Sequence, residues 1–218
     1  MVKVKKFVFN PFQENTFVVW DDRTKECAVI DPGCSDELEE NELVEFITNN
    51  NLITKYMINT HCHLDHIWGC RFVKEKFQPV YLIPEDDLTL LKNAGTQADT
   101  FGIQFNDPPF PDDFISEKII LTLGRSSINF LFTPGHTPGE FCLYFPDEQF
   151  CIVGDVIFKD SIGRTDLWGG DYETLIDSIN SKLLSLNDDV VIYPGHGEES
   201  TIGRERTQNP FLNGLPRN

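Results

Sequence analysis

Three histidines and one aspartate lie within six residues of this chain, in the segment THCHLDH that ends at His66. An apolar, strand-like run comes directly before the segment. In an extended loop, side chains two positions apart project to the same side, so His61 and His63 can contact one ion from one direction. Asp65 and His66 then belong to the turn that opens the next helix and can face a second ion. The segment therefore predicts a strand, a metal-binding loop and a helix, in that order.

The other two histidines and a further aspartate also follow apolar runs. His136 stands in the turn TPGHTPG, His196 in PGHG, and Asp155 directly after a strand-like run and a glycine. Glycine turns at strand ends hold side chains in loops, where binding sites are usually built. A carboxylate at such a strand end can give one oxygen to each of two metals, so Asp155 is the candidate bridge. Any single histidine is more often a structural group, but all five in strand-to-loop motifs favour a metal site.

The types of ligand narrow the choice of metal. Imidazole nitrogen and carboxylate oxygen suit zinc, manganese and iron(II), whereas a set of oxygens alone would have indicated calcium or magnesium. We expect two divalent metal ions, with zinc as the first choice and iron or manganese as alternatives.

Short apolar runs and helical spacings alternate along the whole chain. Strands are predicted at 4–9, 16–20, 27–30, 56–59, 80–83, 119–123, 128–132, 141–144, 150–153 and 190–193. Helices are predicted at 35–49, with Ser35 as the N-cap, and at 172–186, with Asp171 as the N-cap. No low-complexity linker interrupts the pattern, which predicts one α/β layered domain over residues 1–218.

Composition bears on location and partners. A net charge of −17 would repel the phosphate backbone of nucleic acids, so we expect no nucleic-acid partner. We expect no membrane partner either, because no apolar stretch approaches the roughly 20 residues of a spanning helix. The basic N-terminus lacks the apolar core of a secretion signal, which favours a cytoplasmic location. Reduced thiols are expected at Cys27, Cys34, Cys62, Cys70, Cys142 and Cys151.

In their order along the chain, the motifs H-x-H-x-D-H, G-H-T-P-G, G-D and G-H-G resemble those of the metallo-β-lactamase superfamily. An early Asp31-Pro32-Gly33 also fits. The segments GDVIF, GRTD and NPFL, which end at Phe158, Asp166 and Leu212, are similar to those of glyoxalase II-like (hydroxyacylglutathione) hydrolases. The resemblance implies an αββα four-layer sandwich of two mixed β-sheets flanked by helices.

The resemblance also implies a set of metal ligands. The first metal would be bound by His61, His63 and His136, the second by Asp65, His66 and His196, with Asp155 as the bridge. The implied reaction is attack of metal-bound hydroxide on the carbonyl of a small-molecule thioester, with Asp65 relaying a proton. Arg164 occupies the place of a basic residue that anchors the substrate carboxylate, although an ion pair with Asp160 or Asp166 is equally compatible with the sequence.

Two departures from glyoxalase II leave the thiol open. Glu198 replaces a tyrosine that helps to hold glutathione, and the chain ends soon after NPFL, so we expect much of the thiol pocket to be missing. The aromatic segment 101–114 can form a lid, but packing against the body is the favoured interpretation. Cys62, between two ligands, should point away from the metals and serve only packing.

Three alternatives remain. A persulfide dioxygenase would use one iron bound by His61, His136 and Asp155, but an intact His196 motif favours the hydrolase. A zinc β-lactamase is less favoured, because such enzymes are usually exported. A non-catalytic binding protein on the same fold would be expected to have lost some of the seven ligand residues.

Overall fold

The structure is a computed structural model that describes residues 1–213. The described chain divides into two compact units. The first unit contains residues 1–115 and 122–126, and the second contains residues 116–121 and 127–213 of the described chain. The prediction of a single domain stays a prediction.

The first unit is built on a six-stranded sheet in which the strands follow one another in chain order. Its strands are β1 (Val2–Phe9), β2 (Glu14–Asp21), β3 (Glu26–Ile30), β4 (Ile53–Ile58), β5 (Val80–Pro84) and β6 (Asp113–Ile115). The pairs from β1 to β3 are antiparallel and those from β3 to β6 are parallel. The carboxyl ends of parallel β3 and β4 therefore lie at the same edge, where loops can build a site.

Five helices belong to the first unit: α1 (Glu37–Asn49), α2 (Leu64–Ile67), α3 (Cys70–Phe77), α4 (Leu88–Lys92) and α5 (Ala94–Phe101). The predicted N-cap of α1 was wrong by one residue. Asp36 has an extended backbone and accepts from the N–H groups of Leu38 and Glu39, whereas Ser35 instead donates to the carboxylate of Glu39. Leu43 and Ile47 of α1 are buried in the core of this unit.

The second six-stranded sheet has the strand order β14-β13-β10-β9-β8-β7. Its strands are β7 (Ile120–Leu123), β8 (Ser126–Phe132), β9 (Phe141–Phe145), β10 (Phe150–Gly154), β13 (Val191–Pro194) and β14 (Ser200–Thr201). The short strands β11 (Ile157–Phe158) and β12 (Ser161–Ile162) pair separately. In the second six-stranded sheet, β10 and β13 are parallel, while β9 pairs antiparallel with both β8 and β10.

Two helices complete the second unit, α6 (Tyr172–Ser178) and α7 (Ile202–Gln208), and a π-helical turn (Ile179–Leu183) extends α6. Asp171 is the N-cap of α6 as predicted, because its carboxylate accepts from the N–H of Thr174. Leu175, Ile179 and Leu183 lie on one apolar face and are buried in the core of this unit.

The predicted α/β class is confirmed: both sheets are mixed and helices accompany each of them. All six cysteines are free thiols and buried, as the reduced-thiol prediction requires. Within residues 1–213, no helix combines the length and apolar character that crossing a membrane would need.

Candidate metal centre

The loop between β4 and α2 brings three histidines of the first unit together. The ring of His61 lies 4.9 Å from that of His63 and 4.1 Å from that of His66, measured between centroids. All three side chains are buried. Helix α2 begins directly after His63, so Asp65 falls in its first turn, with Oδ2 3.7 Å from Nε2 of His66. The predicted order of strand, loop and helix is correct.

Asp31 holds this loop in place from the end of β3. Its two carboxylate oxygens accept from the backbone N–H and the hydroxyl of Thr60, each at 2.7 Å, and Oδ2 lies 3.2 Å from Nδ1 of His66. Donor atoms of Asp31, His61 and His66 lie within 4.8 Å of one another. Asp31 belongs to the DPG motif but was not among the predicted ligand or catalytic residues. The sequence held a signal for this role. Asp31 follows one of two neighbouring parallel strands, and the histidines follow the other.

A second carboxyl group, Glu14, lies buried beside the same histidine. Its Oε1 is 4.0 Å from Nδ1 of His66, and its Oε2 accepts from the hydroxyl of Thr16 at 2.8 Å. Burial raises the pKa of Glu14 well above its usual range. Gly33 makes room for this packing, because a Cβ atom there would lie 2.1 Å from Glu14 Oε2 and 2.7 Å from the carbonyl oxygen of Asp65.

Cys62 is packed in the core, as predicted. It is fully buried in the hydrophobic core of the first unit, and its backbone N–H donates to Oδ2 of Asp87 at 3.0 Å. Burial raises the pKa of the Cys62 thiol well above its usual range, so the nucleophilic thiolate is disfavoured.

In the second unit, Asp155 lies between two histidines. Its Oδ2 is 3.6 Å from Nε2 of His136 and 3.6 Å from Nε2 of His196. Glu140 fixes the backbone of Asp155, because Oε1 accepts from its N–H at 2.7 Å. The turns that carry Asp155 and His196 are joined by a hydrogen bond of 2.7 Å from the N–H of Gly195 to the carbonyl of Gly154.

The GRTD segment supports the same site through its backbone. Nδ1 of His136 lies 2.7 Å from the carbonyl oxygen of Arg164, the geometry of an N–H donating to a carbonyl, so Nε2 carries the lone pair. Gly163 has no room for a side chain, because an added Cβ would lie 1.9 Å from the carbonyl oxygen of Asp155. From the sequence, this segment contributed to the family resemblance, and its backbone contact with His136 was not predicted.

The side chain of Arg164 makes an ion pair with Asp166. Nε and Nη2 donate to the two carboxylate oxygens at 2.7 and 2.8 Å, and both side chains are exposed. These hydrogen bonds lower the pKa of Asp166 to about 2. Asp160 instead pairs with Arg204. Glu198, the departure from the glyoxalase II pattern, is exposed and accepts from Nζ of Lys159 at 2.6 Å.

Some phenylalanine side chains of the aromatic segment 101–114 are packed, and others are exposed. Phe105 and Phe114 pack against the core of the first unit, in line with the favoured interpretation. Phe101 and Phe110 are 62% and 71% exposed, so packing does not account for them.

The donor group of each unit, taken by itself, fits a divalent ion by the chemistry and spacing of its atoms. Two ligand atoms bound at about 2.0–2.2 Å to one tetrahedral ion lie roughly 3.4 Å apart. The separations of 3.6 Å around Asp155 and 3.7 Å between Asp65 and His66 are close to that value. The second ring nitrogen of His136 and that of His66 face a carbonyl and a carboxylate, which is how proteins orient metal-binding imidazoles.

Comparisons with known proteins found similarity over most of the chain. The family model described as the metallo-beta-lactamase superfamily matches residues 9–196. The chain is 42% identical over 204 residues to the hydroxyacylglutathione hydrolase GloC of Haemophilus influenzae, covering 93% of this chain and 94% of that protein.

Two solved structures are similar over nearly the whole chain. The BLEG-1 B3 metallo-beta-lactamase superposes with a TM-score of 0.88 at 32% identity, covering 97% of this chain and 100% of that one. TTHA1623 in a di-iron-bound form superposes with a TM-score of 0.86 at 32% identity, covering 96% of this chain and 100% of that one.

Proposed function

The chain belongs to the metallo-β-lactamase superfamily of metal-dependent hydrolases, and we propose that it hydrolyses a small-molecule thioester with two metal ions. The observation that carries the proposal is the 42% identity, over nearly the full length of both chains, to a protein named as a hydroxyacylglutathione hydrolase. A cytoplasmic location is part of the proposal.

The proposed ligand set is the one that the family resemblance implies. His61, His63 and His136 would hold the first ion, Asp65, His66 and His196 would hold the second, and Asp155 would be shared by both. Two such ions supply Lewis acidity toward a carbonyl oxygen and lower the pKa of water enough to provide a nucleophile near neutral pH. Zinc is the first choice, and the di-iron-bound form of TTHA1623 makes iron the main alternative, with manganese next.

Asp65 and Asp155 have separate roles in the proposed reaction. In the overall reaction a carbon–oxygen bond forms with water, the carbon–sulfur bond breaks, and the products are a carboxylic acid and a thiol. Asp65 would accept the proton from water and return it to the leaving thiolate, and its backbone carbonyl accepts from Nδ2 of Asn10 at 3.0 Å. Oδ2 of Asp155 lies 3.6 Å from Nε2 of both His136 and His196, a spacing at which a divalent ion would join the carboxylate to each imidazole.

Arg164 is the proposed anchor for a substrate carboxylate. Its guanidinium is exposed, and a surface ion pair such as that with Asp166 contributes little net stability, so a substrate carboxylate can replace Asp166. The backbone carbonyl of the same residue orients His136, which links the anchor to the metal ligands.

The first test is metal content per chain by mass spectrometry on protein purified without added metal, followed by hydrolysis of S-lactoylglutathione. About two ions with thioester cleavage support the proposal. Two ions without cleavage of this or other thioesters contradict the thioester assignment. A single iron with oxygen uptake on a persulfide would replace the proposed hydrolase by a persulfide dioxygenase.

A second candidate activity is β-lactam hydrolysis, because the chain superposes on a B3 metallo-beta-lactamase over nearly its full length. The same pair of ions would act on an amide carbonyl instead of a thioester carbonyl. Nitrocefin hydrolysis by the purified protein, compared with thioester hydrolysis at the same protein concentration, separates the two activities.

A further inference from the structure

Two large aromatic side chains of the first unit contact each other while remaining open to solvent. The rings of Phe12 and Phe101 meet edge to face, with centroids 5.8 Å apart. Phe12 is 39% exposed and Phe101 is 62% exposed. Covering exposed apolar surface of this kind with an apolar group lowers the free energy of the system. We call the pair the Phe12/Phe101 wall.

The turn that carries Phe12 is rigidly built. It joins β1 to β2, and two of its non-glycine residues, Asn10 and Gln13, have φ values of 52° and 57°. The N–H of Phe12 donates to Oδ1 of Asn10, and the N–H of Gln13 donates to the carbonyl of Asn10. Left-handed backbone at non-glycine residues costs energy and persists only where neighbouring contacts fix it.

The same turn is tied to the metal-binding loop. Nδ2 of Asn10 donates to the carbonyl of Asp65 at 3.0 Å and to that of Gly33 at 2.9 Å. Helix α5, which ends at Phe101, contacts α2, which carries Asp65 and His66. Both halves of the Phe12/Phe101 wall are therefore anchored on the element that holds these two proposed ligands.

The surroundings of the wall favour an uncharged occupant. Neither the turn at residues 10–13 nor the segment 94–103 contains a lysine or an arginine. An anionic part of a substrate would find no cation on these two segments, whereas an apolar chain would cover both rings.

We infer that the Phe12/Phe101 wall binds an apolar chain attached to the thioester group, which makes Phe12 and Phe101 specificity-determining residues. The inference rests on the proposed function, since it assigns part of the substrate of that reaction. Longer apolar chains are then preferred over short ones, by up to about four-fold per methylene for complete burial.

The test measures binding without turnover. Non-hydrolysable S-alkyl thioethers of N-acetylcysteamine, with methyl, butyl and hexyl chains, are titrated into the metal-loaded protein by calorimetry. We expect affinity to rise about two- to four-fold per methylene in the parent protein. In Phe12→Ala, Phe101→Ala and the double variant, this slope should fall toward zero, while Phe12→Leu should retain most of it.

Phe110→Ala is the matched control. Phe110 is exposed in the same unit, but its ring lies 5.7 Å from Nζ of Lys92 and is not part of the wall. The control should keep the parent slope. A zero slope in the parent protein, no binding of the hexyl thioether, or an unchanged slope in the double variant would overturn the inference. A dimer that the double variant dissociates without changing the slope would assign the wall to a second copy instead.

A separate assay distinguishes failure of the proposed function. If the binding slope is present but no thioester is cleaved, the hydrolase assignment fails while the apolar subsite stands. Where cleavage occurs, kcat/KM for two substrate series, one varying the acyl chain and one varying the thiol, shows which side of the thioester the wall contacts.

Discussion

Oδ2 of Asp31 lies 3.2 Å from Nδ1 of His66, while the other oxygen of the same carboxylate accepts from the backbone of Thr60. One buried carboxylate thus fixes both the start of the histidine loop and the ring of its last histidine. Carboxylates that contact a metal-binding histidine on the ring nitrogen opposite the metal orient the imidazole and raise its basicity.

Replacing Asp31 should therefore weaken metal binding. In Asp31→Asn we expect the affinity for the second metal to fall about 10- to 100-fold, with smaller loss at the first site. Metal titration followed by mass spectrometry measures both. Asp22→Asn, which changes an exposed carboxylate of the same unit, should bind metal like the parent. Equal loss of both metals would show a general structural role for Asp31.

The proposed division of ligands predicts different stoichiometries for two single variants. His196→Ala should retain about one of the two proposed ions, because His196 belongs to the second set alone. Asp155→Ala should lower binding of both ions, since the proposed bridging carboxylate would contact each. Metal content per chain and S-lactoylglutathione hydrolysis are measured together. Retention of both ions in His196→Ala would remove that residue from the ligand set.

Gly163 should tolerate no side chain. In Gly163→Ala the new methyl group would lie 1.9 Å from the carbonyl oxygen of Asp155, so Asp155 must move and kcat/KM should fall about 100-fold. Gly102→Ala is the control. Its Cβ meets nothing within 4 Å, and only the cost of a left-handed alanine, about 1 kcal/mol, is expected in unfolding by urea.

The ion pair between Arg164 and Asp166 can be followed by titration. Because the folded-state pKa of Asp166 is lowered to about 2 from 3.8, the contribution of the pair to stability is present above pH 3.8 and is lost as pH falls toward 2. Both groups are exposed, so the contribution is small. In Arg164→Gln, NMR titration should show the pKa of Asp166 rising toward 3.8.

The same pair tests the proposed substrate anchor. Arg164→Gln should raise KM for a carboxylate-bearing thioester and leave kcat nearly unchanged, whereas Asp166→Asn should lower KM by releasing the guanidinium. An unchanged KM in both variants would restrict Arg164 to its ion pair and its backbone contact with His136.

The cysteines should be unreactive in the folded protein. All six are buried, and burial raises the pKa of Cys62 above its usual range and that of Cys27 to about 11. We expect no reaction with a thiol reagent at neutral pH and six reacting thiols per chain in denaturant. Rapid labelling of Cys62 in the native protein would contradict its assignment to the core.

Local features of the sequence predicted much of the fold and the types of ligand. The β4 strand, the loop with His61 and His63, and the helix that opens before Asp65 were predicted correctly, because their geometry depends on neighbouring residues. The position of the α1 N-cap was wrong, since Ser35 and Asp36 are both good caps and only the contact with Glu39 separates them.

The sequence by itself determined that this chain has an α/β fold with all five histidines in strand-to-loop motifs, because spacings of two and of about four residues act within one element. The tertiary structure decided which distant groups support those histidines. Asp31 and Glu14 reach His66 from other strands, and the Arg164 backbone reaches His136 from another loop. Such contacts depend on how parallel strand ends are brought side by side, and no local spacing encodes that arrangement.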